Sequence, residues 1–287
     1  MSLLKIIILA IVQGLAELLP VSSSAHVVVA EKLMGLDPSS PPMTLLLVML
    51  HTGTMFAVIV YFWQRWRSTY FKSAPAFRNF AVLLVVATAL TAVVGEAIKI
   101  VIEKTAFRNL PHAQIEDLFS HLELIAPALA AAGILILIAG IFEKRRSARA
   151  ATDDLNLKHA GVIGAVQGLC LPFRGFSRSG ATISTGMLLG VTKARAEDFS
   201  FALAVILTPP VVARETLRLM QSARINGTAE LASAGLYSVF GAVVAFLAGL
   251  LALKWLSRWL EGGRWYLFGI YCLIAAAAVT ALHRAGY

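Results

Sequence analysis

Six apolar runs constrain this chain more than any other feature, because each is near the roughly 20 residues a helix needs to cross about 30 Å of hydrocarbon. They lie at Met43 to Phe62, Phe80 to Val101, Leu124 to Phe142, Phe199 to Leu219, Ala234 to Leu253 and Trp265 to Leu282. With 58% hydrophobic and 14% charged residues over 287 positions, the chain carries more apolar surface than a water-soluble domain could hide. A bilayer is the solvent this composition requires. Two further apolar stretches, Leu3 to Leu19 with Val27 to Met34 and Ala160 to Leu171 with Ala181 to Val191, are each interrupted by a serine-rich turn. Each reads as a re-entrant helical hairpin.

The interrupted stretches are copies of one another. Val12-Gln13-Gly14-Leu15 leads to Pro20 and Ser22-Ser23-Ser24-Ala25-His26, and Val166-Gln167-Gly168-Leu169 leads to Pro172 and Ser177-Arg178-Ser179-Gly180-Ala181. Unpaired backbone costs several kcal/mol per group in hydrocarbon, so turns at membrane depth survive inside protein or beside a water-filled cavity. The two turns therefore mark a cavity. The chain divides into residues 1–150, a hairpin at 3–35 plus three crossings, and residues 151–287, a hairpin at 159–191 plus three crossings. Three is odd, so the second half enters from the opposite face. The expected fold is an all-α polytopic membrane protein, one integral membrane domain built as an inverted-topology repeat, with the broken helices meeting near the midplane.

Charge placement orients this topology. One side collects Arg65, Arg67, Lys72, Arg78, Lys144, Arg145, Arg146, Arg149, Lys158, Lys193, Arg195, Lys254, Arg258 and Arg264, while the other holds chiefly Lys5, Lys32, Lys104, Arg108, Arg224 and Arg284. The positive-inside rule makes the first set cytoplasmic and puts both termini outside. Much of the net charge of +9 is then an orientation signal, and no nucleic-acid partner is needed to explain it. Trp63, Trp66, Trp255, Trp259 and Trp265 flank spans on the cytoplasmic side and read as interfacial anchors. Glu96 and Lys99 read as a pair near a helix end, and Pro209-Pro210 as a break or kink. Lys5, the run from Ile6 and the small residues Ser23-Ser24-Ala25 resemble a cleaved secretory signal. Glu17 inside the apolar stretch and the echo at Val166 argue against that reading. Cys170 and Cys272 have no second thiol nearby in sequence to suggest a metal knuckle or disulfide framework.

The turns carry the chemistry. One of Ser22, Ser23 and Ser24 is expected to cap the helix that follows, and Ser179 and Gly180 stand in the same relation to the limb from Ala181. Two helix N-termini aimed at one cavity suit a phosphate or diphosphate, and Arg178 adds a planar bidentate donor for phosphate oxygens. Gln13 and Glu17 share a helical face at i and i+4. A serine hydroxyl is a weak nucleophile until a base takes its proton, and Glu17 and His26 are the candidates. Ser23 as nucleophile, a base, an arginine clamp and two helix dipoles suffice for phosphoryl transfer, with Glu17 the candidate ligand for a divalent ion. Plain structural roles compete: serines as caps, Glu17 with Arg178 as a buried strut, His26 as a core hydrogen-bonder, and His51-Thr52-Gly53-Thr54 as cavity lining or helix packing.

Gln13-Gly14-Leu15-Ala16-Glu17-Leu18-Leu19-Pro20-Val21-Ser22-Ser23-Ser24-Ala25-His26 resembles the first signature of the bacterial undecaprenyl-diphosphate phosphatases of the BacA type. Gly175-Phe176-Ser177-Arg178-Ser179-Gly180-Ala181-Thr182 resembles their second. Weaker similarity covers His51 to Trp63, Asp198 to Ala204 and Phe268-Gly269-Ile270-Tyr271. The resemblance implies an enzyme of the bacterial inner membrane that removes the terminal phosphate of undecaprenyl diphosphate, recycling the carrier lipid for peptidoglycan synthesis and conferring bacitracin resistance when overproduced. It implies an outward-facing site, a divalent cation, Mg2+ or Ca2+, as cofactor, and a polyprenyl diphosphate as partner among the membrane lipids, and it leaves room for a homodimer. Carried over by position, Ser23 is the nucleophile, Glu17 and His26 the acid-base or metal-linked groups and Arg178 the clamp. Gln13, Ser22, Ser24, Arg174, Gly175, Ser177, Ser179, Gly180 and Thr182 are the supporting substrate-binding set. Two departures stand out. Gln13 replaces the first glutamate, which the pattern allows, and Arg174 replaces the proline before glycine in a segment one residue longer than the common form. The competing functions are hydrolysis of another lipid diphosphate and a carrier that flips a polyprenyl phosphate, which needs an anion site but neither nucleophile nor base.

Overall fold

The structure is a computed structural model that describes residues 2–37, 40–105, 121–145, 151–226 and 229–287. Arg108, Arg146 and Arg149 lie outside the described residues, as do the side chains of Arg224 and Trp259. Among the described residues the chain forms ten helices. Two are short, α1 (Leu3–Leu18) and α2 (Ser23–Leu33), and three are long, α3 (Pro41–Thr69), α4 (Ala74–Thr105) and α5 (Leu122–Arg145). The order then recurs with α6 (Leu157–Cys170), α7 (Arg178–Leu188), α8 (Lys193–Asn226), α9 (Ala229–Glu261) and α10 (Tyr266–Arg284). The six long helices are the ones long and apolar enough to cross a membrane, and each contains or overlaps one of the six apolar runs. At 1.5 Å per residue α1 rises about 24 Å and α2, α6 and α7 about 16 to 21 Å, all short of a hydrocarbon core about 30 Å thick. The chain is an all-α polytopic membrane protein.

Local chemistry sets the breaks. Leu19 leaves helical geometry ahead of Pro20, and Ser22 caps α2 from a φ of 68°, its hydroxyl accepting from the amide of Ala25. A positive φ is uncommon for a residue with a Cβ, and turns at functional sites are where such strain is found. In the second copy Ser177 is the cap, accepting from the amide of Gly180 at 3.2 Å. Helix α7 therefore starts at Arg178, and Ser179 and Gly180 lie within its first turn instead of preceding it.

The first short limb of each half packs on the second long helix of the other half: α1 lies on α9, and α6 lies on α4. The glycines that match in the two sequence copies explain the contact. A Cβ on Gly14 would stand 2.6 Å from the carbonyl oxygen of Ala245, and one on Gly168 would stand 2.8 Å from that of Thr91. Only bare backbone lets the helices approach so closely. The rest of the interior is built by α3 on α8 and α9, α5 on α7 and α10, and α7 on α8, with Phe62, Phe199 and Phe201 fully buried.

Several expectations are corrected. Trp66 and Trp265 are core residues, not interfacial anchors: Trp66 stacks on Phe62, and the Trp265 indole donates to Ser184 at 3.0 Å. Trp63 and Trp255 do stay exposed. Lys99 pairs with Glu103, one turn on at 4.0 Å, not with Glu96. Helix α8 runs through Pro209 and Pro210 without a break. Arg65 is more than a loop charge, since it joins α3 to α8 by ion pairs to Glu197 at 3.1 Å and Asp198 at 2.8 Å, both carboxylates buried.

Candidate active site

The tips of the two short-helix pairs meet. Ser23, first residue of α2, donates from its hydroxyl to Glu17 Oε2 at 2.5 Å. Arg178, first residue of α7, donates from Nη2 to Glu17 Oε1 at 2.9 Å. Glu17 thus sits between the serine of one tip and the arginine of the other. Gln13, one turn before Glu17, donates from Nε2 to Glu17 Oε2 at 3.2 Å. Both carboxylate oxygens are engaged, which fixes the Glu17 side chain toward Ser23. The contact between tips is tightened by the Gly175 amide on Ser24 Oγ at 3.4 Å and by the Ser179 hydroxyl on the Leu19 carbonyl at 3.2 Å.

Arg178 Nη1 is buried and has no hydrogen-bond partner among the described residues. A buried unpaired guanidinium N–H is costly, and an anionic oxygen at this spot would satisfy it. The first four amides of a helix lack intrahelical acceptors. In α2 the cap takes those of Ala25 and His26, and in α7 those of Gly180 and Ala181. That leaves the amides of Ser23 and Ser24, and of Arg178 and Ser179, at the converging ends. An anion there meets two helix N-termini and one guanidinium.

His26 is placed differently from the other candidate base. Its Nδ1 lies 2.7 Å from the carbonyl of Ser22, which can only accept, so Nδ1 donates. Its Nε2 then accepts from the Tyr271 hydroxyl at 2.7 Å, with the rings stacked 5.6 Å apart. Both nitrogens are committed away from Ser23, and Glu17 is the base the geometry brings to that hydroxyl.

The remaining supporting residues divide. The hydroxyls of Ser22, Ser177, Ser179 and Thr182 are buried and engaged within the protein, Thr182 donating to the Arg178 carbonyl at 2.8 Å and accepting from Ser200 at 2.6 Å. Ser22 and Ser177 cap the two helices, and Ser179 and Thr182 tie the tips to their surroundings. Gly175 has a φ of 102°, the left-handed region that glycine tolerates, and a Cβ there would strike the backbone of Ile125. Arg174 interacts electrostatically with Glu31 of α2, a buried carboxylate.

The described residues around Glu17 do not supply the donor set of a divalent-cation centre. Glu17 contributes one carboxylate whose oxygens already receive a guanidinium, a hydroxyl and an amide. No cluster of three or more histidine, cysteine, aspartate or glutamate residues suited to a metal occurs among the described residues. A cation at Glu17 would have to share Oε1 with Arg178 or compete with it.

Two site residues had weak sequence signals. His51 of α3 reaches the Gln13–Glu17 pair, its Nδ1 3.0 Å from Gln13 Nε2 and 3.8 Å from Glu17 Oε2. The polar step His51-Thr52-Gly53-Thr54 in an apolar span hinted at cavity lining and no more. Tyr271 lies 245 positions from its partner His26, a separation that no local pattern reports.

Residues 6–278 match the family described as bacitracin resistance protein BacA. The chain is 57% identical over 285 residues to undecaprenyl-diphosphatase 2 of Acinetobacter baylyi, covering 98% of each chain. It is 32% identical over 283 residues to an undecaprenyl-diphosphatase of Rhodopirellula baltica, again 98% of each. It is 33% identical over 282 residues to undecaprenyl-diphosphatase 2 of Burkholderia thailandensis, covering 96% of this chain and 95% of the relative. A family match over nearly the whole length, two signature tips in contact and a serine, glutamate and arginine joined where they meet lead to one assignment: the chain belongs to the bacitracin resistance protein BacA family.

Proposed function

We propose that this chain is a membrane phosphatase that hydrolyses undecaprenyl diphosphate to undecaprenyl phosphate and inorganic phosphate, recycling the carrier lipid for peptidoglycan synthesis. The observation that carries the reading is the Ser23–Glu17–Arg178 chain of hydrogen bonds across the two tips. A carrier needs the anion site alone. A carboxylate held 2.5 Å from a serine hydroxyl beside that site serves proton transfer.

The chemistry follows from the geometry. Glu17 takes the proton of Ser23 as Oγ bonds to the terminal phosphorus. The bridging P–O bond breaks, and its electron pair leaves on the oxygen of undecaprenyl phosphate. Arg178 Nη1 and the free first-turn amides meet the phosphoryl oxygens on which charge spreads in the transition state. Water then attacks the phosphoserine, Glu17 returns its proton to Ser23, and the protons of the water leave with inorganic phosphate. The Mg2+ or Ca2+ dependence expected from the family belongs, on this reading, to the phosphates of the substrate and not to a site on the chain.

The recurrence of two short helices followed by three long ones, and the reciprocal packing of α1 on α9 and α6 on α4, support an inverted repeat of residues 1–150 and 151–287 with re-entrant tips. We place the protein in the bacterial inner membrane, and the charge asymmetry of its loops supports both termini lying outside. Detergent-purified protein is expected to release inorganic phosphate from a C55 polyprenyl diphosphate, and Ser23→Ala to abolish the release while melting as the parent does. Lipid exchange in proteoliposomes without phosphate release would replace the enzyme by a carrier.

A further inference from the structure

His51 extends from α3 into the network that holds Ser23, and that network determines where its proton sits. Gln13 Nε2 stands 3.2 Å from Glu17 Oε2 and 3.0 Å from His51 Nδ1. The amide cannot be turned over, because its carbonyl oxygen would then face the Glu17 carboxylate, acceptor against acceptor. With nitrogen toward Glu17, one amide hydrogen serves the carboxylate and the other points at His51 Nδ1, which must accept it. A neutral imidazole that accepts at Nδ1 carries its hydrogen on Nε2. That Nε2 makes no hydrogen bond among the described residues. The His51 side chain is 45% exposed and its Nδ1 stands 3.8 Å from Glu17 Oε2, the oxygen that accepts from Ser23, so the ring lies beside the site with an unclaimed N–H.

We propose that His51 is a substrate-contacting residue of this enzyme: a neutral imidazole whose Nε2–H donates to a phosphoryl oxygen of the diphosphate, with Gln13 as the positioning residue that holds the tautomer. The inference rests on reading the site as a lipid-diphosphate phosphatase. A neutral imidazole donor is an effective partner for oxygen on which charge develops, and it adds a hydrogen bond without a second cation to compete with Arg178 for Glu17. It also gives the sequence departure at Gln13 a chemical meaning. A glutamate at that position would offer Nδ1 an acceptor, which turns Nδ1 into the donor and either strips Nε2 of its hydrogen or makes the ring an imidazolium.

Detergent-purified protein labelled with 15N-histidine tests this directly, the signal of His51 being the one of six missing from His51→Gln. The expected spectrum shows His51 unprotonated at Nδ1 and protonated at Nε2, and inorganic diphosphate shifts the Nε2 resonance first. In phosphate-release assays His51→Ala is expected to raise KM for the lipid diphosphate roughly tenfold to a hundredfold, the loss of one hydrogen bond to a charged group. His51→Gln keeps an N–H donor and recovers part of that loss, and Gln13→Glu places a proton on His51 Nδ1 and raises KM as well. A proton on Nδ1 in the parent, an Nε2 signal unmoved by diphosphate, or an unchanged KM in active His51→Ala overturns the proposal. Parent protein that releases no phosphate from any lipid diphosphate overturns the phosphatase reading with it, whereas active parent and indifferent variants overturn the role of His51 alone.

Discussion

Arg178 Nη2 donates to Glu17 Oε1 at 2.9 Å across a sequence separation of 161 residues, so one ion pair both closes the two tips together and aims the base. The second nitrogen, Nη1, stays free for an anion. Arg178→Lys keeps the charge and loses the fork, so one ammonium must choose between Glu17 and phosphate. Phosphate release is expected to fall on the order of a hundredfold to a thousandfold, the range for removing one transition-state donor. Arg178→Ala falls further. Turnover of Arg178→Lys near that of the parent would detach the guanidinium from the chemistry.

Gly14 and Gly168 set how closely α1 meets α9 and α6 meets α4. Gly14→Ala and Gly168→Ala each push a methyl into facing backbone and are expected to cost about 1–3 kcal/mol, as overpacking does, seen as a lower melting temperature in detergent. Gly235→Ala, with nothing within 4 Å of its Cβ, is the control and should hold or raise the melting temperature. Equal melting of all three variants would mean that the close approach is not what holds these helices.

Much of this architecture is legible before any coordinates. Hydrocarbon thickness and helix rise turn six apolar runs into six long helices. The echo of Gln13-Gly14 in Gln167-Gly168 marks the limbs that cross to the other half, and the backbone contacts of Gly14 and Gly168 explain why glycine stands in both copies. The two glutamines show where copying stops being informative. Gln13 faces Glu17 and His51, while Gln167 is fully buried and donates to Thr91 at 3.1 Å. Identical residues in matched positions face the candidate site in one half and a packed helix in the other, because only one half carries an acidic residue four positions on. That Glu17 and not His26 lies against the Ser23 hydroxyl was equally closed to sequence, since a tyrosine of α10 claims the imidazole.

Arg65 offers a stability test far from the chemistry. Its partners Glu197 and Asp198 are 2% and 1% exposed, so Arg65→Ala takes the guanidinium from two buried carboxylates and leaves Asp198 to Arg195 at 4.0 Å and Glu197 to the Ser257 hydroxyl at 3.3 Å. Breaking a buried pair costs about 3–5 kcal/mol. The 37% exposure of Arg65 places the expectation at the lower end of that range. Arg65→Met combined with Glu197→Gln and Asp198→Asn removes every charge of the trio and should melt above the single variant. A single variant as stable as the parent would show that water reaches these carboxylates.

The donor set at Glu17 predicts how the protein treats divalent ions. Chelator-treated protein without substrate should show no stoichiometric Mg2+ or Ca2+ binding by calorimetry and no change in melting temperature when the ion is restored. Any requirement should appear only with lipid diphosphate present. Tight binding of one ion to the free protein, lost in Glu17→Gln, would put the cation on the chain after all.

The reciprocal docking of α1 on α9 and α6 on α4 has a consequence for how the molecule is made. The opening hairpin leaves the ribosome long before α9 exists, so it must wait in the translocon or at the lipid surface, Glu17 without Arg178 until α7 emerges and α1 undocked until α9 arrives. Neither half is a self-sufficient folding unit. A truncation that stops after α8 should leave the amino-terminal hairpin open to protease, and supplying the missing carboxyl-terminal fragment from a separate message should restore its protection.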